Sequence, residues 1–524
     1  MTRSIILVLI IFGGVFITSE LFKDVQNEPK TYFILISITI YIITCFVSRK
    51  GIQQLFETLQ SHVLLYGIVV VCMLTSIHGL LQYFGLFSSN HSAFPITGSF
   101  ENPAGFAAVQ AAMFPFVLTK CIDRDNGILL RVFLIVVSLA CFSSVILSGS
   151  RTGFLSLFSV VIVVMAFDNK LLIYFKTRKW LWIPSLVLMV SLSVLLYYVK
   201  QDSADGRVFV WKRCFELIKE RLLFGYGVSG FHRFYMSTQA NFFRIHPDSH
   251  FVMLADNISH PFNEFLKLTI NYGLLGLSIA IAILVWIVWR LFKSEKQSKV
   301  LGLSFISSLF IMCLFSYPYR YSIVWLLSFV AIAPGVFKSR NNTQSIPIFF
   351  RYIILILLFF ILGVNIRAMY YDMKWSEISK RSLSGKTEQM LKYYEEMKPI
   401  MEYNPLFLYN YAAELNYVQR YEESLEITSQ CAELWNDYDV QKLFANNYIN
   451  LGMMEEAIQS YEQAYYMIPC RFEPLYGMMM VYKDCNDTIN ALRIADEIIE
   501  KQIKVSSNSV TYIIEKAKQI ISEY

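Results

Sequence analysis

Charge is scarce in this chain. Of its 524 residues only 16% are Asp, Glu, Lys or Arg, against ~25% in an ordinary soluble domain. That shortage excludes a wholly soluble enzyme. Metal-site punctuation is missing as well. The nine cysteines are scattered, mostly inside apolar blocks, with no CxxC and no His/Cys spacing that would hold zinc. Cys431, Cys470 and Cys485 lie in the polar C-terminal part, which leaves one disulfide open there. The apolar blocks contain no paired carboxylates and show no inverted repeat, which argues against a transporter. No small-residue cleavage site follows the first apolar block, residues 5–18. That block therefore reads as an uncleaved membrane helix rather than a signal peptide.

What the chain has instead is apolar length. It is 55% hydrophobic with a mean hydropathy of +0.45. The excess falls into blocks of about 17–25 residues, enough to cross a bilayer core as helix. The expected fold is all-α: a polytopic membrane protein of about eleven transmembrane helices plus a C-terminal α-solenoid of tetratricopeptide (TPR-like) character. The spans fall near 3–19, 31–48, 63–84, 103–119, 130–148, 153–167, 181–199, 264–289, 300–316, 321–337 and 352–370. The expected domains are 1–371, with a large loop at 200–263, and 372–524.

Charge is also unevenly placed. Residues 1–371 carry 31 basic and 16 acidic side chains, and residues 372–524 carry 15 and 24. A basic membrane part suits anionic headgroups or phosphates. With the N-terminus in the cytoplasm, the cytoplasmic segments hold 17 basic residues. The short outer loops hold only Lys23, Lys30, Arg151 and Arg320. By the positive-inside rule the 200–263 loop is outside, and so, with an odd number of spans, is the tail.

The tail repeats at about 34 residues. The clearest copy has Phe444, Ala445, Tyr448, Leu451, Gly452, Ala457, Tyr461, Ala464 and Pro469. Ala412, Tyr421, Ser424 and Cys431 mark a weaker copy before it; Pro474, Tyr482, Ala491 and Ala495 mark one after. Small residues at these places let paired helices approach, and stacked repeats offer a face to partner proteins. The tail could equally serve only to steady the membrane part.

Four outer features carry candidate chemistry. Residues 98–105 read Gly-Ser-Phe-Glu-Asn-Pro-Ala-Gly. Asn102 before Pro103 is a helix start, and the glycines could line a polar cavity. Residues 148–153, Ser-Gly-Ser-Arg-Thr-Gly, put Arg151 at a membrane boundary, where charge is costly and usually functional. Arg207 and Trp211 belong to a segment whose Val208, Trp211, Phe215 and Ile218 predict one face of an interfacial helix. A guanidinium there suits phosphate. Residues 256–264, Asp-Asn-Ile-Ser-His-Pro-Phe-Asn-Glu, run into a helix with Gly273 and Gly276. His260 can take a proton from a hydroxyl near neutral pH, and His246 and His250 compete for that role.

These features, in this order over about residues 60–340, resemble the O-antigen ligase and polymerase superfamily of bacterial membrane glycosyltransferases, which includes O-linked protein oligosaccharyltransferases. The resemblance implies an undecaprenyl-pyrophosphate-linked glycan donor and transfer to a glycan, lipid A core or protein acceptor. It places the reaction at the periplasmic face of the bacterial inner membrane. It implies inversion, no metal and no cofactor, and it suggests no nucleic-acid partner. Arg151 and Arg207 take the pyrophosphate, with Asn102, Trp211, Asn263, Gly273 and Gly276 in support. The family pattern has a histidine directly before the position of Asn263. Here Phe262 stands there. His260 lies two positions earlier and Glu264 one position later, and Asp256 is a third candidate base. A surface-polysaccharide polymerase fits the same residues. A peptidoglycan polymerase is a rival that would draw on Asp205 or Asp256. A non-enzymatic anchor whose tail recruits an envelope protein is the reading from another class.

Overall fold

A computed structural model describes residues 1–48, 51–123, 126–167, 201–337 and 347–523. The expected span at 181–199 lies outside the described residues. Among the described residues every regular element is a helix. The membrane-type helices are α1 (Thr2–Phe16), α2 (Glu28–Val47), α3 (Gly51–Leu59), α4 (His62–Tyr83), α5 (Pro103–Cys121), α6 (Ile128–Leu147) and α7 (Arg151–Phe167). Then come α8 (Gln201–Glu220) and α9 (Gly230–Ile245) of the loop, followed by α10 (Glu264–Phe292), α11 (Lys296–Phe315), α12 (Ser322–Phe337) and α13 (Ile348–Arg381). Among the described residues seven helices are long and apolar enough to cross a membrane. The apolar helices α1, α7 and α12 are shorter. The protein is thus an all-α polytopic membrane protein.

The chain divides into two compact units. The first comprises Met1–Leu196, Phe262–Glu264 and Ile279–Ser376; the second comprises Tyr197–Pro261, Phe265–Ser278 and Glu377–Tyr524.

The first unit is built around α5. Asn102 starts this helix: its Oδ1 accepts from the amides of Ala104 (2.9 Å) and Gly105 (3.1 Å), and Pro103 sits where no amide donor is needed. Its alanines and phenylalanines are almost wholly buried, from Phe106 to Val117. Small residues draw neighbours close, as expected inside a membrane, where packing rather than hydrophobic transfer joins helices. A side chain on Gly153 of α7 would meet Ala107 at 2.7 Å. Buried Gln110 is satisfied by Ser76 Oγ (2.8 Å) and Cys72 Sγ (3.2 Å).

The second unit joins the loop to the tail. The tail helices are α14 (Thr387–Met401), α15 (Pro405–Tyr417), α16 (Tyr421–Leu434), α17 (Tyr438–Asn450), α18 (Met454–Met467), α19 (Glu473–Asp484), α20 (Thr488–Glu500) and α21 (Asn508–Glu523). One apolar core runs through both parts. It contains Val210, Leu217, Phe231 and Tyr235 from the loop, Leu266 and Ile270 from the start of α10, and Tyr438, Ala464 and Met467 from the tail. Gln239 of α9 donates to the carbonyl of Met467 at 2.6 Å. Arg471 pairs with Asp256 at 3.5 Å. The loop read from sequence as an appendage of the spans therefore shares its core with the tail. Cys431, Cys470 and Cys485 are free thiols.

The helix turns of the tail recur. Gly385, Gln419, Gly452 and Asn486 all have a left-handed φ, at 87°, 65°, 76° and 58°. They stand 34, 33 and 34 residues apart in the sequence. After each of the last three, the next amide reaches back five residues: Arg420 to Leu415, Met453 to Tyr448 and Asp487 to Tyr482, each at 2.9 Å. This is the closing bond of a left-handed helix C-cap. The small residues of the sequence pattern, Ala412, Ala445, Ala457, Ala464, Ala491 and Ala495, are all fully buried.

Gln419 holds a conformation that glycine adopts without steric cost. We expect Gln419→Gly to stabilise the tail by about 1 kcal/mol. Thermal unfolding followed by tail protection from proteolysis checks this.

Candidate functional site

In the first unit, polar groups gather around Glu101. Its carboxylate accepts from Asn27 Nδ2 (2.8 Å), Tyr321 Oη (3.0 Å) and Asn102 Nδ2 (3.1 Å). Arg320 Nε lies 3.7 Å from it and Arg320 also pairs with Asp24 at 3.8 Å. The stretch 97–100 is pinned from below. Gln82 accepts from the amides of Thr97 and Gly98, at 3.1 and 2.7 Å. Lys30 donates to the carbonyl of Ser99 at 2.7 Å. Asn102 therefore does cap chemistry with one end and joins the polar cluster with the other, where its Nδ2 reaches Tyr317 Oη at 3.3 Å. The ring of Tyr317 lies 5.9 Å from the ring of Phe262. Tyr317 thus links the 98–105 stretch to the 262–264 segment. Phe262 has φ 53°, a left-handed conformation uncommon for a bulky side chain and found where surroundings enforce it. Asn263 and Glu264 are half-buried at the start of α10. Arg151 is half-buried at the first position of α7, behind the left-handed Gly149 and the Ser150 hydroxyl that accepts from Gly153.

The second unit holds the histidines. His232, near the start of α9, stacks on Trp435 of the tail with ring centroids 4.8 Å apart. His260 meets the edge of His232 at 6.1 Å. The carbonyl of His232 accepts from the amide of Asn436 at 3.2 Å, and Asn257 donates to Asp437 at 2.8 Å. Trp211 fixes the turn after His260 by donating from Nε1 to the carbonyl of Pro261 at 2.9 Å. Burial, with the charge of Lys267 second, pushes the His232 pKa down to about 4, so the ring is neutral at pH 7. Its Nδ1 is buried with no hydrogen-bond partner among the described residues.

Several sequence expectations are refined here. The helix that carries Arg207 is longer than the predicted face: α8 begins at Gln201, and Arg207 is half-buried in its second turn. The predicted face of α8 is split. Ile218 is buried, Trp211 is half-buried, and Val208 and Phe215 are exposed. The face that packs is Phe209, Val210, Arg213, Cys214 and Leu217. A core stripe beside an exposed apolar row looks, in sequence, like a single broad face. Arg213 is buried under the ring of Phe242, at 4.0 Å, and pairs with Glu216 at 3.0 Å. His246 and His250 are exposed. Asp256 is exposed and tied to Arg471. Arg151 and Arg207 lie in different units. Sequence reasoning passed over Glu101, Tyr317, His232 and Trp435. His232 lies in the first turn of α9, 28 residues before His260 in sequence, and only the fold brings it to His260.

Gly273 and Gly276 have structural causes. Gly273 interrupts α10 with φ 66° and ψ −169°. There the loop runs beside the helix. Tyr226 and Gly227 donate to the carbonyls of Ile270 and Asn271 at 2.9 and 2.8 Å, and Leu274 and Leu275 donate to those of Leu222 and Leu223 at 2.8 and 3.2 Å. A side chain on Gly273 would stand 2.1 Å from the Leu223 oxygen, and one on Gly225 would stand 2.5 Å from the Ile270 oxygen. Gly225 and Gly273 thus form one interlock. A side chain on Gly276 would meet that of Tyr272 at 2.4 Å.

Residues 134–281 match the family model described as O-antigen ligase. No curated protein matches the chain. The matched segment contains Arg151, Arg207, Trp211, His260, Asn263, Gly273 and Gly276, and supports the O-antigen ligase superfamily resemblance. It supports a membrane ligase or glycosyltransferase role and implies lipid-linked glycan substrates.

Two outcomes are expected. Gly273→Ala forces both a strained φ and a clash with backbone, and should destabilise the second unit by at least about 2 kcal/mol, read as a lower melting temperature. The second outcome concerns pH. Unfolded, the His232 ring gains a proton below about 6.5, whereas folded it stays neutral to about 4. Stability is therefore full above about 6.5 and falls as pH drops toward 4. Between pH 7 and pH 5 the loss is on the order of 2 kcal/mol, less what the partial exposure of the ring screens. His232→Gln should flatten the difference between melts at these two pH values.

Proposed function

We propose, from the O-antigen ligase domain that the chain carries at residues 134–281, that it is a glycosyltransferase of the bacterial inner membrane. It transfers an oligosaccharide from undecaprenyl pyrophosphate to an acceptor hydroxyl at the periplasmic face. The acceptor oxygen bonds to the anomeric carbon as the bond from that carbon to the pyrophosphate oxygen breaks, with inversion. Undecaprenyl pyrophosphate leaves with the electron pair, and the acceptor proton passes to a base. Arg151 and Arg207 neutralise the charge that grows on the pyrophosphate; such electrostatic stabilisation, together with positioning, carries most of the barrier reduction for a good leaving group. No metal takes part.

The observation that carries this reading is the domain match spanning both arginines and the 263–276 stretch in one segment. His260 is the base that the geometry favours over Glu264, because His232 stands beside it and stays neutral. A second imidazolium would oppose protonation of His260, and a neutral ring does not. His232 and Trp435 position His260, and Trp211 holds the carbonyl that follows it. The repeated left-handed turns of the tail support a tetratricopeptide-like solenoid. Its α18 is already covered by α9, so a protein partner or acceptor uses another face.

Arg151→Ala and Arg207→Ala should each lower transfer by about 10²–10³-fold, with the protein still present in the membrane at normal level. The readout is the surface-glycan ladder and protein glycosylation in a deletion strain carrying each variant. Full transfer by both variants would sink the proposal. His260→Ala against Glu264→Gln identifies the base: the first is expected to lose transfer and the second to keep most of it. Loss of the ladder with one unit retained marks a polymerase. Complete loss from the core marks a ligase, and under-glycosylated proteins with normal lipopolysaccharide mark a protein transferase.

A further inference from the structure

The second unit turns a compact set of large apolar side chains away from its core. Leu223, Phe224 and Val228 are 61%, 74% and 73% exposed, and Leu222 and Leu275 are exposed beside them. This is not a loose loop. The ladder to Ile270, Asn271, Leu274 and Leu275 and the interlocked Gly225 and Gly273 hold it in one conformation. Asn271 adds a bond to the carbonyl of Val228 at 2.8 Å. A rigid shelf of leucine and phenylalanine facing water is unfavourable unless something apolar covers it.

Its position says what covers it. Leu274 and Leu275 open the apolar run that α10 carries onward to Phe292, and α10 is long and apolar enough to cross a bilayer. Direct hydrogen bonds at 2.8 and 3.2 Å set Leu222 and Leu223 level with those first apolar residues. Where Leu275 is in lipid, Leu223 is in lipid. Val208 and Phe215 of α8 are also exposed. They stand seven residues apart in α8, which puts them on one side of that helix. The polar margin fits the bilayer edge. The Arg221 guanidinium lies 4.9 Å over the ring of Tyr226, and the Tyr226 hydroxyl donates to Glu220 at 2.6 Å. Amphipathic rings and basic groups at that height match the headgroup layer.

We propose that residues 222–228 form a membrane anchor, seating Leu222, Leu223, Phe224 and Val228 among the acyl chains of the leaflet that α10 enters, with Arg221 and Tyr226 at the headgroups. The occupant of this surface is bilayer lipid. Its consequence is height. Because α9 follows the anchor directly, His232, His260 and Trp435 are held at a set distance from the bilayer. The bond to be broken in a lipid-linked glycan also sits at a set distance, beside its pyrophosphate. This consequence rests on the glycosyltransferase reading; the anchor itself does not.

The test uses the full chain in nanodiscs of phosphatidylethanolamine and phosphatidylglycerol. The photoreactive p-benzoylphenylalanine is placed at position 224, and in separate proteins at 403 and 417, where Tyr403 and Tyr417 are exposed on the tail. Phospholipid adducts measured by mass spectrometry should be about tenfold or more abundant at 224 than at either control, as partition of an aromatic ring into hydrocarbon dictates. Position 228 gives the same readout through an independent residue if 224 does not tolerate the probe. Equal lipid adducts at loop and tail overturn the anchor. So does capture at 224 mainly of another polypeptide, whether a second copy or a co-purified partner. The readout needs no transfer activity, so failure of the anchor and failure of the glycosyltransferase reading are told apart.

Discussion

The close approach of Gly273 to the carbonyl of Leu223 is the constraint on which the rest of the second unit depends. Backbone groups that leave a helix must find partners elsewhere. Gly273 takes α10 out of helical geometry, and the loop supplies the missing partners: Leu222 and Leu223 accept from Leu274 and Leu275. Only the absence of side chains at 273 and 225 lets two backbones pass at this distance. The interlock fixes where α8 ends and α9 begins. The position of α9 in turn sets that of His232 and of the face that receives α18.

The loop and tail are then one body. Their common core and the bond from Gln239 to Met467 mean that the tail cannot be removed without exposing Phe231, Tyr235 and Leu217. A tail that is merely a tether for partners would not need Trp435 against His232 or Asp437 against Asn257. The half-buried aromatic contact gives the tail a direct hold on the imidazole pair. The low pKa of His232 follows from the same packing: Trp435 and the core exclude water, and Lys267 adds a like charge.

What could be read in the sequence is what local chemistry decides. The Asn102–Pro103 helix start, the apolar blocks and the small residues of the tail each follow from neighbours within a few positions, and the structure has them. The left-handed turns at 385, 419, 452 and 486 keep the repeat period even though only two are glycine, so the period was visible and the turn chemistry was not. The predicted face of α8 is divided because both of its apolar sides have owners, one the core and the other the proposed lipid. Periodicity cannot assign two owners. The pairing of His232 with His260 and the interlock of Gly225 with Gly273 join residues 28 and 48 positions apart. No local pattern encodes such pairs, and a motif shows only that its residues matter.

Position 262 shows how a departure from the family pattern can be absorbed. Phe262 lies against Tyr317, and Tyr317 reaches Asn102, so a polar network that an imidazole could have entered is closed by an aromatic contact. The chain changes unit between Pro261 and Phe262. A histidine on the near side of that point belongs with α9 and Trp435; one on the far side would belong with Glu101 and Tyr317. Moving the imidazole by two residues therefore changes its surroundings from a carboxylate cluster to a neutral ring and an indole. A base beside Glu101 would be held protonated by the nearby negative charge. At 260 the imidazole instead meets the neutral ring of His232 and, through it, the indole of Trp435.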